Sequence, residues 1–410
     1  MANNNDNKIL NVPALRFPEF SGEWNTSSIG EQFELYSGNT PSRMDKKQFD
    51  GTINWITSGE LKEHYIADTK EKISDEAVKS NNLKLLSVGT FVIAIYGLEA
   101  DGVRGTCSIT ASESTISQAC MAFISKKDIA NEFLYAWYKK HGNIIGIRYA
   151  QGTKQQNLSY DIIEKFNISY PCIEEQKKLI HFISLIDERI ATQNKIIEKY
   201  ESLIQAICDT LIEAEQHKVE LSFNDFGEPY SGLSGKSAED FGKGWPYITY
   251  MNVYQNQIID ITDVGLVKIN ETEQQSVVRY GDILFTLSSE TPDEVGMGAV
   301  YLGDAYPLYL NSFCFGVHIT DESKIFPPFL AYYISTKSFR KAVFPLAQGS
   351  TRFNLQKNDF MKKIFHFPTV KKQSEIYSVL KAYSNKLSIE KNIANLLCEQ
   401  KSYLLRQLFI

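Results

Sequence analysis

Two pairs of short loops carry the side chains best suited to chemistry at a surface. Ser37-Gly38-Asn39-Thr40-Pro41-Ser42-Arg43 has a counterpart in Ser231-Gly232-Leu233-Ser234-Gly235-Lys236-Ser237, and Gln151-Gly152-Thr153-Lys154-Gln155-Gln156-Asn157 has one in Gln348-Gly349-Ser350-Thr351-Arg352-Phe353-Asn354. Hydroxyls and main-chain N–H groups bind phosphate oxygens, whereas Gln, Asn, Arg and Lys present the donor and acceptor pairs that read base edges. The candidate nucleic-acid contacts are Ser37, Asn39, Thr40, Ser42, Arg43, Gln151, Thr153, Lys154, Gln155 and Asn157 in the first copy. In the second they are Ser231, Ser234, Lys236, Gln348, Ser350, Thr351, Arg352 and Asn354, and the matching segments Trp55-Ile56-Thr57 and Tyr247-Ile248-Thr249 add Thr57 and Thr249. The plain alternative is a set of turns whose Gly, Pro and Asn only satisfy backbone geometry. Recurrence with a basic residue in each copy favours binding.

Catalytic signatures fail on inspection. Gly235-Lys236-Ser237 resembles the end of a phosphate-binding loop, but Tyr230 stands where the first glycine is required. Phe326-Pro327-Pro328-Phe329 lacks the Asn or Asp that would accept from a target amine, and reads better as a helix start. Asp293-Glu294 and Glu175-Gln176-Lys177 could furnish nuclease carboxylates only if two separate domains brought them together. His64, His141, His181, His217, His318 and His366 show no metal-ligand spacing and read as surface or packing residues. No catalytic residue and no metal ligand is expected.

The elements that position the loops come from a duplication. Ala150-Gln151-Gly152 with Asn157-Leu158 returns as Ala347-Gln348-Gly349 with Asn354-Leu355, at a constant offset of 197 residues (347 − 150, 354 − 157). Pro171 and Gln176 recur as Pro368 and Gln373, each ahead of a long apolar-periodic stretch. A repeat of this length is a duplicated domain, not a solenoid period. Val/Ile/Phe/Tyr-rich runs at 84–98, 119–125, 283–287 and 313–319 predict strands, and 129–140 and 329–335 predict helices, so both copies are mixed α+β domains.

After Pro171 a heptad seam runs through Leu179, Ile183, Ile186, Ile190, Ile197 and Ile204, with Gln193 interrupting it. After Pro368 the equivalent seam is Ile376, Leu380, Tyr383, Leu387, Leu397 and Leu404, interrupted by Glu390 and Lys401. Each helix of about 40 residues would be roughly 60 Å long at 1.5 Å per residue. An exposed seam must be covered, and an antiparallel coiled coil between the two helices is the simplest closure. The boundaries expected are a tail over 1–13, domains over 14–170 and 218–367, and helices over 171–217 and 368–410.

Bulk properties narrow the function further. A chain of 410 residues with 43% hydrophobic content has room for two to three folded domains. The six cysteines, without framework spacing, read as buried thiols in a reducing cytoplasm. The polar start lacks the features of a secretory signal, and the apolar run from Val88 to Leu98 is too short to span a bilayer. A net charge of −6 argues against gripping nucleic acid by bulk electrostatics alone. Any DNA contact would be local, with other subunits supplying part of the phosphate clamp.

The ordered set Leu15-Arg16-Phe17-Pro18-Glu19-Phe20 with Glu23-Trp24, the 37–42 loop, Gly152-Thr153 through Asn157-Leu158-Ser159, and Pro171 to Gln176 leading into a long helix resembles the DNA-specificity subunit of type I restriction-modification systems. The resemblance covers nearly the whole chain. The second half departs from it by lacking Thr-Pro-Ser in its first loop and by having Lys372-Gln373 in place of Glu175-Gln176. The resemblance implies two target-recognition domains, each reading one half of a split double-stranded DNA target, with the helix pair as spacer and docking platform. It implies a subunit without chemistry of its own. Two partner subunits would methylate adenine N6 with S-adenosylmethionine, and motor-nuclease subunits would supply ATP- and Mg-dependent translocation and cleavage. Two other readings are an adaptor joining two protein-binding domains without nucleic acid, and a self-sufficient methyltransferase.

Overall fold

This computed structural model describes residues 10–97, 105–126, 128–150 and 156–410. The chain divides into two compact units, Met1–Thr192 with Ile393–Ile410, and Gln193–Asn392.

In the first unit the chain order is β1 Asn25–Ser28, β2 Phe33–Ser37, β3 Tyr65–Ile66, β4 Phe91–Ala94, β5 Tyr96–Gly97, β6 Cys107–Thr110 and β7 Cys120–Ser125. Helix α1 Asn131–Tyr149, β8 Gln156–Asn157, β9 Asn167–Tyr170 and the start of α2 Ile173–Glu213 follow. The main sheet has the order β2-β7-β4-β6-β3, and β1 pairs with β9. Helix α1 runs nine residues beyond the expected end at Lys140 (149 − 140). Buried Ile145 continues the apolar face, and Gly142 lets the helix lie against Gly105 at a distance that a Cβ would close to 2.7 Å.

In the second unit β10 Lys218–Leu221, β11 Gly227–Ser231, α3 Tyr250–Gln255, β12 Ile283–Thr286, β13 Ser288–Ser289 and β14 Gly298–Val300 come first. They are followed by β15 Cys314–Ile319, α4 Pro327–Tyr333, β16 Ala347–Gln348, β17 Phe353–Leu355, β18 Phe365–Pro368 and α5 Val370–Leu408. The sheet order is β11-β15-β12-β14, and β10 pairs with β18. The duplication therefore reaches strand register. Met121 lies opposite Ser37 and Cys120 opposite Ala94, as Phe315 lies opposite Ser231 and Cys314 opposite Thr286.

The Pro-to-Gln motif that recurs at the helix starts is a hydrogen-bond staple. Gln176 Nε2 donates to the Pro171 carbonyl at 3.0 Å while Oε1 accepts from Ala130 N at 3.0 Å, one residue before α1. Gln373 Nε2 donates to the Pro368 carbonyl at 2.8 Å while Oε1 accepts from Phe326 N at 2.8 Å, one residue before α4. Both glutamines are fully buried. Each satisfies the N-cap N–H of the domain helix together with a carbonyl just ahead of the long helix, and so ties the two helices together. In the first unit the Leu15-to-Phe20 motif adds a second tie. Arg16 makes a two-pronged pair with buried Glu175 at 2.8 and 2.7 Å, Glu19 pairs with Lys178, and Phe17 meets Phe182 edge-on.

The seam residues of both long helices are buried or half-buried, but they face more than another helix. Leu179 and Ile183 share one core with Phe133 and Trp137 of α1 and with Leu405 and Leu408. In the second unit Ile204, Cys208 and Ile212 share a core with Phe223 and Phe365 and with Ile376 and Leu380. Gln193 Nε2 donates to the Glu390 carbonyl and carboxylate, and Lys391 pairs with Glu201. In the first unit Lys401 pairs with Asp187. The polar interruptions of the seams are thus engaged across helices.

Four cysteines are buried, but Cys172 and Cys398 are exposed, which corrects the expectation of six buried thiols. Cys172 precedes the first turn of α2, and Cys398 lies beside the seam rather than in it. Among the described residues no helix is long and apolar enough to cross a membrane.

Candidate nucleic-acid interface

Each unit carries a cleft beside an equivalent two-stranded ribbon, though the two clefts open on different walls. In the first, β8 pairs with β5 so that Asn157 lies opposite Tyr96 and Gln156 opposite Gly97. In the second, β17 pairs with β13 so that Asn354 lies opposite Ser288 and Phe353 opposite Ser289. The repeated Asn-Leu pair explains the ribbon. Leu158 and Leu355 are buried, and their N–H groups donate to the Ile95 and Leu287 carbonyls, which leaves Asn157 and Asn354 exposed. Leucine anchors the ribbon and asparagine is left free to meet a ligand.

The first cleft, of about 520 Å³, is lined by Ser37, Tyr96, Gln118, Asn157, Ser159 and Tyr160 over an apolar floor of Ile95, Met121 and Leu158. Ser37 and Asn157, from the two separate loops, thereby share one site. The second cleft, of about 320 Å³, is lined by Tyr250, Met251, Tyr254, Ser288, Ser289, Glu290, Glu294, Phe313 and Arg352. Tyr254 donates to Glu294 at 2.7 Å and Ser289 donates to the same carboxylate at 2.9 Å, which holds that carboxyl below its ordinary range. Burial pushes the Tyr250 phenol up, and its hydroxyl donates to the Ser288 carbonyl at 2.8 Å. Among the described residues no cluster of His, Cys, Asp and Glu could hold a metal ion.

The other expected contacts divide by what already holds them. Lys236 is 4% exposed in its side chain and is bound to Glu273 and the Lys268 carbonyl, an internal ion pair rather than a free cation. That corrects its reading as a DNA contact, because reaching a ligand would leave the Glu273 carboxylate unpaired. Arg43 keeps an exposed side chain, but its fork is bound two-pronged to Glu71 at 2.6 and 2.8 Å and packs over Phe49 and Trp55. The Glu71 carboxyl is held low by that guanidinium. Asn39 accepts from Thr40 N and, through its carbonyl, from Trp55 Nε1. Thr57 and Thr249 are equivalent helix caps, Thr57 with Glu60 and Thr249 accepting from Asn252 N. Ser234 exchanges backbone bonds with Gln275, and Ser231 Oγ accepts from Lys357 at 3.4 Å.

Gly38 and Gly232 answer to internal sterics as well. A Cβ at Gly38 would come within 1.8 Å of the Ile116 carbonyl oxygen, and one at Gly232 within 2.0 Å of that of Asn311. The close approach that these glycines permit is to the protein's own backbone. Ser42 is exposed, Thr40 is half-buried, and Gln348, Ser350, Thr351 and Arg352 are exposed. Gln151, Thr153, Lys154 and Gln155 lie outside the described residues. Tyr96, Gln118, Tyr160, Tyr250, Tyr254, Glu290, Glu294 and Phe313 were not marked by the repeat, because only pairing of distant strands brings them to the cleft walls. Tyr250, directly after the recurring Ile-Thr, was the one with a local signal.

Residues 21–202 and 231–399 match the family described as type I restriction modification DNA specificity domain. The chain is 28% identical over 184 residues to the type I restriction enzyme MjaIX specificity subunit of Methanocaldococcus jannaschii, covering 43% of this chain and 41% of that one. It is 27% identical over 213 residues to the EcoR124I/EcoR124II specificity subunit of Escherichia coli, covering 50% and 48%. The aligned part thus spans less than half the length of each of these two relatives. Against the MjaVIII specificity subunit of M. jannaschii, 23% identity extends over 92% of this chain and 89% of that one. In fold it is similar to the S subunit of a type I restriction-modification system from M. genitalium, with a TM-score of 0.50, 17% identity and coverage of 97% and 99%. A structure of type I complex assembly gives a TM-score of 0.61, 14% identity and coverage of 94% and 97%.

Proposed function

The chain belongs to the type I restriction modification DNA specificity family, and from that premise we propose that it reads a two-part DNA target, one half-site with each of its two clefts. The observation that carries this reading is the recurrence of one strand ribbon, built on the same Asn-Leu pair and flanked by a cleft, in both copies of the duplicated domain. The clefts expose amide, hydroxyl and guanidinium groups of the kinds that meet base edges and phosphates. Asn157 and Ser37 in the first cleft and Arg352 in the second are the contacts best supported, with Asn354 exposed on the adjoining ribbon. Gln151, Thr153, Lys154 and Gln155 stay candidates through their place in the recurring loop.

The long helices act in this proposal as an antiparallel coiled-coil spacer and as the platform for two adenine-N6 methyltransferase subunits, joined in the full complex by motor-nuclease subunits. Exposed apolar residues on both helices support docking, since such positions favour a partner's cover. Leu185 and Leu203 lie on α2, and Ile389, Leu396 and Tyr403 recur every seven residues on α5. The chain performs no chemistry and holds no cofactor; S-adenosylmethionine, ATP and Mg²⁺ act on the partners, in the cytoplasm.

Mapping adenine methylation across the genome of cells with and without this chain tests the reading. A two-part motif should vanish with the chain. An identical set of motifs in both strains would discard it in favour of an adaptor without nucleic acid.

A further inference from the structure

Among the described residues the candidate cations differ in what holds them. Arg43 is bound to Glu71 and Lys236 to Glu273. Arg352 is exposed on the wall of the second cleft, and its guanidinium makes no hydrogen bond or ion pair with the described residues. Five N–H donors in a rigid fork are therefore available to a ligand.

The cleft around Arg352 selects what that ligand is. Glu290 and Glu294 bring two carboxylates to the same walls. A phosphodiester would meet like charge there, whereas the edge of a base is neutral. Guanine presents O6 and N7, two acceptors that match the arginine fork, and cytosine presents an N4 amine that a carboxylate accepts from. Glu294 already accepts from Tyr254 and Ser289, so exposed Glu290 is the acceptor with capacity to spare.

We propose that the second cleft recognises G·C base pairs in the major groove, Arg352 donating to O6 and N7 of a guanine and Glu290 accepting from the N4 amine of a cytosine. This rests on the specificity-subunit reading and adds the chemistry of one half-site to it.

The test is a genome-wide adenine-methylation motif from cells carrying the intact complex with the wild-type chain, R352A, R352K or E290A. The wild-type motif should hold an obligatory guanine in one half-site. R352A should lower discrimination at that position about 5- to 150-fold while the other half-site stays unchanged. R352K, which keeps the charge and loses the fork, should retain a weakened preference at the same base, and guards against a variant that fails to assemble. E290A should loosen a cytosine position in the same half-site. An unchanged motif in R352A, or a uniform fall in methylation with the motif intact, would overturn the proposal, the latter marking Arg352 as a phosphate contact. If no motif depends on the wild-type chain, the functional reading itself fails. If one does and the variants leave it alone, only the base assignment falls.

Discussion

Whether a side chain is available to a ligand depends here on neighbours dozens of residues away along the chain, and Lys236 is the clearest instance. Its loop reads as a binding loop, yet the ammonium is enclosed by Glu273 and the Lys268 carbonyl. Lys236→Met should lower the thermal unfolding midpoint and leave the methylation motif as it was; a changed motif with unchanged stability would reinstate Lys236 as a contact. Cysteine chemistry separates in the same way. Burial pushes the thiols of Cys107, Cys120, Cys208 and Cys314 up to about 12, so at neutral pH they hold their protons and are shielded. Cys172 and Cys398 are exposed. Alkylation of the native protein followed by mass spectrometry should mark those two alone, and all six after denaturation. Rapid native labelling at any of the other four would contradict the packing described.

At the scale of elements, the glutamine staples do the joining. Replacing Gln176 or Gln373 with alanine leaves buried N–H and C=O groups unpaired, each loss costing about 1–3 kcal/mol. Gln→Glu at either position should not rescue stability, because a carboxylate cannot donate to the Pro171 or Pro368 carbonyl. Urea unfolding of the four variants checks this, and a midpoint equal to wild type for either alanine variant would remove the staple from the account. The seams carry a related lesson. Apolar periodicity predicted which helix faces are covered, but not that the cover is shared. Leu179 and Ile183 meet domain residues such as Phe133 as well as Leu405, so one face closes two interfaces.

For the whole molecule the proposal makes the helix pair a spacer. Four residues inserted in register into both helices add about 6 Å, close to two base-pair rises of DNA. The spacer of the methylation motif should grow accordingly. A motif that keeps its spacing while methylation persists would separate target geometry from helix length.

The duplication, the mixed α+β character of each copy and the two long helices were legible in the sequence, because each rests on local periodicity or on repetition at a fixed offset. The Asn-Leu and Pro-to-Gln repeats were visible too, though not their roles. Tertiary structure decided those. Strand register turned Leu158 and Leu355 inward and Asn157 and Asn354 outward, and Gln118 and Glu290 reached the cleft walls through pairings of strands far apart in the chain. Lys236 and Arg352 look equivalent as members of recurring basic loops. Only folding assigns a carboxylate to the first and leaves the second open to solvent, since the partner that satisfies a charge is fixed by proximity in space and not by distance along the chain.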